Sequence, residues 1–285
     1  MKLIDPKVEL WSEIGISPES HIARCARVCY GHEDKAPNQE ADEKMVDGLI
    51  KNGHLSMLRH ASVYYVFPNK EAIPEELFSE YTNRAITADN KLALVSTNKQ
   101  FVYERFANRF VDSSPQTISG VCQNNPELFS AFRLTFCITT QDAIAKELNR
   151  KSPNSIAEKS TRYCNFKDGI PVCRPHWMFG LQNWGNEDKR WELYNQLDDS
   201  VMQATKSYNA LLEGGLKPED ARVVLPKVTA TKVIYTYSVN EWEDILALRL
   251  YDKTGPAHPD CHIVMKMVRD QINTFAKEQN IEYEV

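Results

Sequence analysis

The run from Val228 to Val239 constrains the fold more than any other stretch of this chain. It is rich in threonine, valine and tyrosine, whose branched or flat side chains suit a pleated, half-buried surface, and it predicts one long strand. Helical patterns flank it on both sides. Trp191, Tyr194, Leu197, Val201, Tyr208, Leu211 and Leu212 keep one face of a helix from about Glu187 to Glu213, and Gly214-Gly215 ends it. Pro218 opens a short helix that closes near Leu225-Pro226. Asn240 with Glu243 reads as the start of a further helix, with Trp242, Ile245 and Arg249 on one side. A strand set among helices predicts an α/β or α+β architecture.

The rest of the chain extends the mixture. Gln39 to Asn52 forms a helix with Met45, Val46, Leu49 and Ile50 on one face; Pro37 and Asn38 sit at its start, and Gly53 stops it. Ser62 to Phe67 is β-branched and aromatic, is bounded by Pro68, and reads as a strand. A second strand is expected at Arg133 to Ile138. Thr139 would cap a helix with Asp142 at its third position, running to about Arg150 and burying Ala143, Ile144 and Leu148. Pro259 begins the last helix, with Ile263, Met267 and Phe275 inward. Between Pro68 and Phe132 the pattern weakens: Ala93 to Asn98 is followed by Phe101, Val102 and Phe106 at helical spacing, then by a polar loop around Ser113 to Gln116. No repeat or Gly/Ser linker marks a boundary. The expectation is a single domain over residues 1–285 with an inserted segment at about 68–132, read as a surface elaboration.

Composition narrows the function classes. The formal net charge of −5 disfavours a broad grip on nucleic acid, although a local basic pocket remains compatible with it. No apolar run approaches the roughly 20 residues that span a bilayer, and Met1 to Gly15 lacks the apolar core of a signal peptide. Seven cysteines without a C-x-x-C pair speak for a reduced, cytoplasmic protein. Cys25 and Cys29, four apart on an expected helix, read as buried structural thiols. His258 and His262 are also four apart, but Pro259 lies between them and no third ligand stands out, so no metal site is expected.

The residues that suggest chemistry are polar and cationic. In an extended conformation Glu158, Ser160 and Arg162 share one face. A guanidinium beside hydroxyl and backbone N–H donors suits a phosphate monoester. The same pattern also describes a solvated strand edge with a surface ion pair. Arg222 in Ala-Arg-Val-Val-Leu-Pro226 and Arg249 in Leu-Ala-Leu-Arg-Leu250 lie inside apolar stretches. There an unpaired charge is costly, so each needs an anion, either a protein carboxylate or a ligand.

Taken together these segments resemble the flavin-dependent thymidylate synthases, the ThyX family. Arg150, Ser155, Glu158, Ser160, Arg162 and Tyr163 fall in step with the family signature R-H-R-x-x-S-x-N-E-x-S-x-R-Y. Gly53-His-Leu-Ser-Met-Leu-Arg-His60 is similar to its Gly-His-x-(Ser/Thr)-Pro-Phe-Glu-His segment, and Arg27-Val-Cys-Tyr30 to its Ala-Arg-Val-Ser segment. Arg222, Arg249 and Pro259-Asp-Cys-His-Ile263 follow in order. The resemblance spans about Ile22 to Phe275 and is greatest to an insertion-bearing branch.

The resemblance implies a central sheet flanked by helices, and methylation of dUMP to dTMP with methylenetetrahydrofolate as carbon donor, FAD as redox carrier and NADPH as reductant. It implies a homotetramer with sites completed between subunits. Residue by residue, it places Glu147, Glu158, Ser160, Arg162, Arg222 and Arg249 at dUMP, with Arg249 catalytic at the uracil ring. It places His54, Ser56, Arg150, Lys151, Ser155, Ser238 and Asp244 at FAD. The chain departs from the pattern at Lys151, Ser152 and Ala157, where the family has His, Arg and Asn, and at Arg59, where it has Glu. Most departures fall on the flavin and folate side. They leave open another one-carbon modification of a pyrimidine nucleotide, or a non-catalytic nucleotide-binding homologue.

Overall fold

The computed structural model describes residues 1–32, 38–105, 111–180, 183–185 and 188–285. In chain order the N-terminal part comprises strands β1 (Lys2–Ile4) and β2 (Lys7–Leu10), helices α1 (Pro18–Cys29) and α2 (Gln39–Lys51), and strands β3 (Ser62–Phe67), β4 (Asn83–Ile86) and β5 (Ala93–Asn98). Helices α3 (Lys99–Arg105) and α4 (Pro115–Asn124), strand β6 (Arg133–Gln141), helix α5 (Asp142–Leu148) and strands β7 (Ile156–Glu158) and β8 (Pro171–Cys173) follow. The chain closes with α6 (Lys189–Glu213), α7 (Pro218–Ala221), β9 (Ala230–Ser238), α8 (Val239–Arg249) and α9 (Pro259–Glu278). Phe106, Pro37 and Glu187, which enter the sequence expectations, lie outside the described residues.

The central sheet has the order β2-β6-β9-β7 with every pair antiparallel. Strands β6 and β9 pair along their whole length, from Arg133 opposite Ser238 to Gln141 opposite Ala230. Strand alternation sends successive side chains to opposite faces. Leu134, Phe136 and Ile138 of β6 join Val233, Tyr235 and Tyr237 of β9 beneath α8 and α9. On the other face Cys137 and Ile234 meet Cys25 and Val28 of α1. Both faces are covered, so all nine residues of β6 are buried. Trp242 of α8 anchors the larger face: it is 1% exposed, its Nε1 donates to the Leu134 carbonyl at 3.2 Å, and it meets Phe136 edge-on.

A three-stranded antiparallel sheet, β3-β5-β4, lies beside the central one, and β1 pairs parallel with β8. The segment expected to be a surface elaboration is in fact structural. Leu94, Ile118, Cys122, Leu128 and Phe129 all lie in the main core with Phe136 and Trp242. The polar loop at Ser113 to Gln116 is the start of α4, where the Ser114 hydroxyl accepts from the Thr117 amide at 3.1 Å.

Other expectations shift by a few residues, for local reasons. Thr139 does not cap a helix; β6 runs on through it to Gln141, because pairing with β9 continues to Ala230. Helix α5 therefore starts at Asp142 and ends at Leu148 rather than near Arg150. Helix α8 is capped by Ser238 and Glu241, each bonding the other's backbone, and not by Asn240 and Glu243. In α9 the buried face is Cys261, Val264, Met265, Val268, Ile272 and Phe275, leaving Ile263 and Met267 at its margin. Strands β1 and β2 are too short for the sequence pattern to announce. Helix α6 matches its expected course, although only Val201 and Tyr208 are fully buried along it.

Candidate functional site

Helix α5 is short, but both of its sides face cavities. Residues Glu147 and Leu148 at its C-terminal end, the following Arg150, Lys151 and Ser152, and Asp244, Ile245, Leu248 and Arg249 of α8 enclose a cavity of about 340 Å³, with Lys253 and Thr254 at its edge. Asp142 and Lys146 face a second cavity of about 330 Å³, also lined by Lys159, Thr161, Arg222 and Lys227.

The first cavity gathers five of the expected site residues: Glu147, Arg150, Lys151, Asp244 and Arg249. Helix periodicity explains the grouping, since Asp244, Ile245, Leu248 and Arg249 recur at intervals that share one side of α8. The Arg249 guanidinium is half-buried and donates to the Glu147 carbonyl at 3.1 Å. Among the described residues no carboxylate pairs with it. Arg150 is exposed and, among the described residues, has no hydrogen-bond or ion-pair partner. Lys151, 21% exposed, lies 3.2 Å from Asp244, which is 71% exposed, so the pair is solvated mainly on its carboxylate side.

The second cavity is a cationic hollow that sequence reading foresaw only through Arg222. Lys146, Lys159 and Lys227 come from three separate segments and have no common motif. Arg222 is not buried as its apolar neighbours imply. It is exposed on a short turn at Arg222–Val224, where Val223 is itself 79% exposed. Its Nε donates to the Glu219 carbonyl at 3.0 Å and its Nη1 to the Thr161 hydroxyl at 3.2 Å. Arg162 is also exposed and pairs with the Glu219 carboxylate at 3.2 Å. The two arginines thus meet through Glu219.

The extended reading of Glu158 to Arg162 is corrected. Strand β7 ends at Glu158, and the chain turns over residues 161–163, so the three side chains go separate ways. The Ser160 hydroxyl accepts from the Arg162 amide at 3.2 Å. Glu158 turns back to α5, accepting from Lys146 at 3.0 Å and Asn149 at 3.3 Å. Burial would lower the Lys146 pKa, but its bonds to Glu158 and its neighbour Asp142 hold it above the ordinary lysine value.

The remaining expected cofactor residues are dispersed. His54 and Ser56 are exposed at the turn leading to β3. Ser155 is buried at the start of β7, and Ser238 is fully buried, its hydroxyl engaged with Glu241 at 2.7 Å. Arg59 links this turn to the signature segment, donating to the Asn154 carbonyl at 2.9 Å. Burial pushes the Cys29 thiol up to about 11 and the Cys122, Cys173 and Cys261 thiols up to about 12, so these sulfurs stay protonated at neutral pH. His258 and His262 point apart, His262 bonding Asp252 at 2.8 Å.

A family model described as thymidylate synthase complementing protein matches residues 97–276, which include α5, the signature segment and Arg249. The chain belongs to this family. It is 32% identical over 113 residues to a flavin-dependent thymidylate synthase of Geobacter sulfurreducens, a match covering 39% of this chain and 44% of that one. A flavin-dependent thymidylate synthase of Synechocystis is 26% identical over 147 residues, covering 50% of this chain and 67% of the relative. The probable enzyme of Paramecium bursaria Chlorella virus 1 is 24% identical over 139 residues, 47% of this chain and 64% of the relative. The chain thus spans between 44% and 67% of the length of these relatives. Among solved structures, a UMP/dUMP methylase PolB from Streptomyces cacaoi bound with 5-Br dUMP aligns over 99% of this chain and 96% of that one, at 18% identity and a TM-score of 0.45.

Proposed function

We propose that the protein is a flavin-dependent thymidylate synthase, methylating dUMP to dTMP with methylenetetrahydrofolate, FAD and NADPH. The observation that carries this reading is Arg249, a half-buried guanidinium facing a cavity with only a backbone carbonyl as partner among the described residues. A fixed cation of this kind stabilises negative charge that develops on a pyrimidine ring as its C5 carbon becomes nucleophilic. The high thiol pKa values fit a route that needs no enzyme thiolate.

The cavity residues suit the cofactor in part. Arg150 offers an unused guanidinium fork and Lys151 an ammonium held by Asp244, donors that suit a diphosphate, while Leu148, Ile245 and Leu248 offer apolar wall. Ser238 has no spare donor, because its hydroxyl donates to the Glu241 carboxylate at 2.7 Å. Bound FAD would supply the redox capacity that converts the transferred one-carbon unit to a methyl group. Arg150 and Lys151 would hold it, with Asp244 orienting the lysine. The cationic hollow would take the nucleotide phosphate through Arg222 and its neighbouring lysines, with Ser160 and Arg162 bordering it.

Incubating the protein with dUMP, methylenetetrahydrofolate and NADPH and weighing the nucleotide product tests the reaction. A gain of one methyl group is expected. A product carrying a different one-carbon group would move the reading to that chemistry, and unchanged dUMP would sink it. Deoxyuridine, which lacks the phosphate, should bind on the order of a hundredfold more weakly than dUMP, since charge-assisted hydrogen bonds contribute roughly 1.5–3 kcal/mol each. Equal affinity in calorimetry would remove the phosphate assignment. Lys151→Ala should weaken FAD binding several-fold and leave dUMP binding unchanged; unaltered flavin affinity would move the cofactor elsewhere. The cavities are open on the single chain, and a homotetramer that closes them is expected by light scattering; an active monomer would contradict it. The same reading assigns the protein to the cytoplasm.

A further inference from the structure

Away from both cavities, where the turn at His176–Met178 meets the start of α9, two imidazoles flank one buried carboxylate. We propose that His176, His258 and Asp260 form a binding site for a divalent first-row transition metal, with zinc as the best-matched ion.

The spacing is the first support. His176 Nδ1 lies 3.4 Å from one Asp260 oxygen and His258 Nδ1 lies 3.6 Å from the other. Ligating atoms of the three residues all fall within 4.8 Å of one another. Around a tetrahedral zinc with bonds of about 2.0–2.2 Å, ligand atoms sit roughly 3.3 Å apart. Each imidazole therefore stands at close to that spacing from a different oxygen of the one carboxylate, within reach of an ion held between them.

The state of each ligand is the second support. Asp260 is 6% exposed, and its carboxylate is already aimed, one oxygen accepting from the His176 amide at 2.5 Å and the other from the Gln141 side chain at 2.8 Å. Such outer hydrogen bonds fix a ligand before a metal arrives. His176 Nδ1 is shielded from solvent and has no hydrogen-bond partner. His258 Nδ1 accepts from the Asp260 amide at 3.2 Å, a helix-cap bond that occupies its lone pair, so ligation through this nitrogen would replace that bond with one to the ion. Two neutral imidazoles and one carboxylate are a borderline donor set that suits zinc rather than magnesium or calcium. Three protein ligands leave a fourth position for water, and both histidine side chains are partly exposed, at 38% and 46%, which gives the ion a way in.

The site has a structural consequence. Gln141 is the last residue of β6 and the cap of α5, so an ion here would tie the start of α9 and the 176–178 turn to the base of the helix that carries Glu147 and Lys146.

The test is calorimetric titration of the chelator-stripped full chain with Zn²⁺, paired with Co²⁺ absorption spectroscopy. One equivalent should bind, with cobalt bands of nitrogen and oxygen ligation. His176→Ala and His258→Asn, the latter keeping a good helix cap, should each weaken binding at least about 100-fold, and Gln141→Ala about 10- to 100-fold. Circular dichroism of each variant confirms that it is folded. Three results would overturn the proposal. They are no binding by the folded wild-type chain, one-equivalent binding that survives both histidine substitutions, and a thiolate-to-cobalt charge-transfer band, which would put the ion on cysteines such as Cys173.

Discussion

Arg249→Ala is expected to lower kcat by two to three orders of magnitude while the protein folds and binds flavin normally. Removing one donor that stabilises developing charge typically costs about 10²–10³ in kcat. The structural cost of the change should be small: the side chain is half-buried, and within the described residues it gives up one bond, to the Glu147 carbonyl. A hydrogen bond of that kind contributes roughly 1 kcal/mol to stability. Arg249→Lys separates charge from geometry. Lysine keeps the cation but not the planar fork, so partial recovery would mean that charge dominates, and none would mean that the fork orients the ring. A kcat unchanged in Arg249→Ala would remove Arg249 from the reaction and with it the main support for the proposed activity.

What the sequence discloses here depends on how a feature is distributed along the chain. Strand β3 falls where its β-branched run stands, and α6 runs from Lys189 to Glu213, just before Gly214, because in both the periodic signal extends over several residues of one element. Strand β2 is an edge strand of four residues, too short to show alternation. Segment 68–132 resists reading because its core residues are divided among short elements: Leu94 in β5, Ile118 in α4, and Leu128 in a turn. None carries enough pattern alone, yet all three are fully buried.

The candidate site divides in the same way. Asp244 and Arg249 come together because helix spacing puts them on one side of α8, while Glu147 joins Arg249 in the expectation only through the family resemblance. Arg222 escapes the sequence pattern because its apolar neighbours in sequence are not its neighbours in space. The turn at Arg222–Val224 leaves Val223 facing solvent and the arginine with it. Lys146, Lys159 and Lys227 converge only after folding. His258 illustrates the converse: its sequence partner His262 turns to Asp252, while Asp260 and the distant His176 become its neighbours.

Acid stability offers a test of the buried polar layer between α1 and the central sheet. His21 bonds Thr135, Thr135 bonds Thr236, and Thr236 bonds His60, at 3.1, 2.8 and 2.9 Å. Both imidazoles are completely buried, and burial, with nearby arginines adding to it, lowers their pKa values to about 3. Between pH 3 and 6.5 the unfolded chain therefore binds two protons that the folded chain excludes, so stability rises with pH. Glu13 acts oppositely. Burial raises it to about 7 despite its bonds to Ser62, so from pH 4.5 to 7 the folded chain keeps a proton that the unfolded chain has lost. Through these groups stability should climb with a slope of two protons up to about pH 4.5, of one proton up to 6.5, and then dip slightly towards 7. Each proton corresponds to about 1.4 kcal/mol per pH unit, and the whole climb to several kcal/mol. His60→Asn retains a polar atom for Thr236 but cannot titrate. Comparing urea unfolding of the two proteins at stepped pH cancels the surface carboxylates they share. The variant's slope should be lower by one proton throughout the window from pH 3 to 6.5, and identical slopes would mean that His60 is not held neutral by the fold.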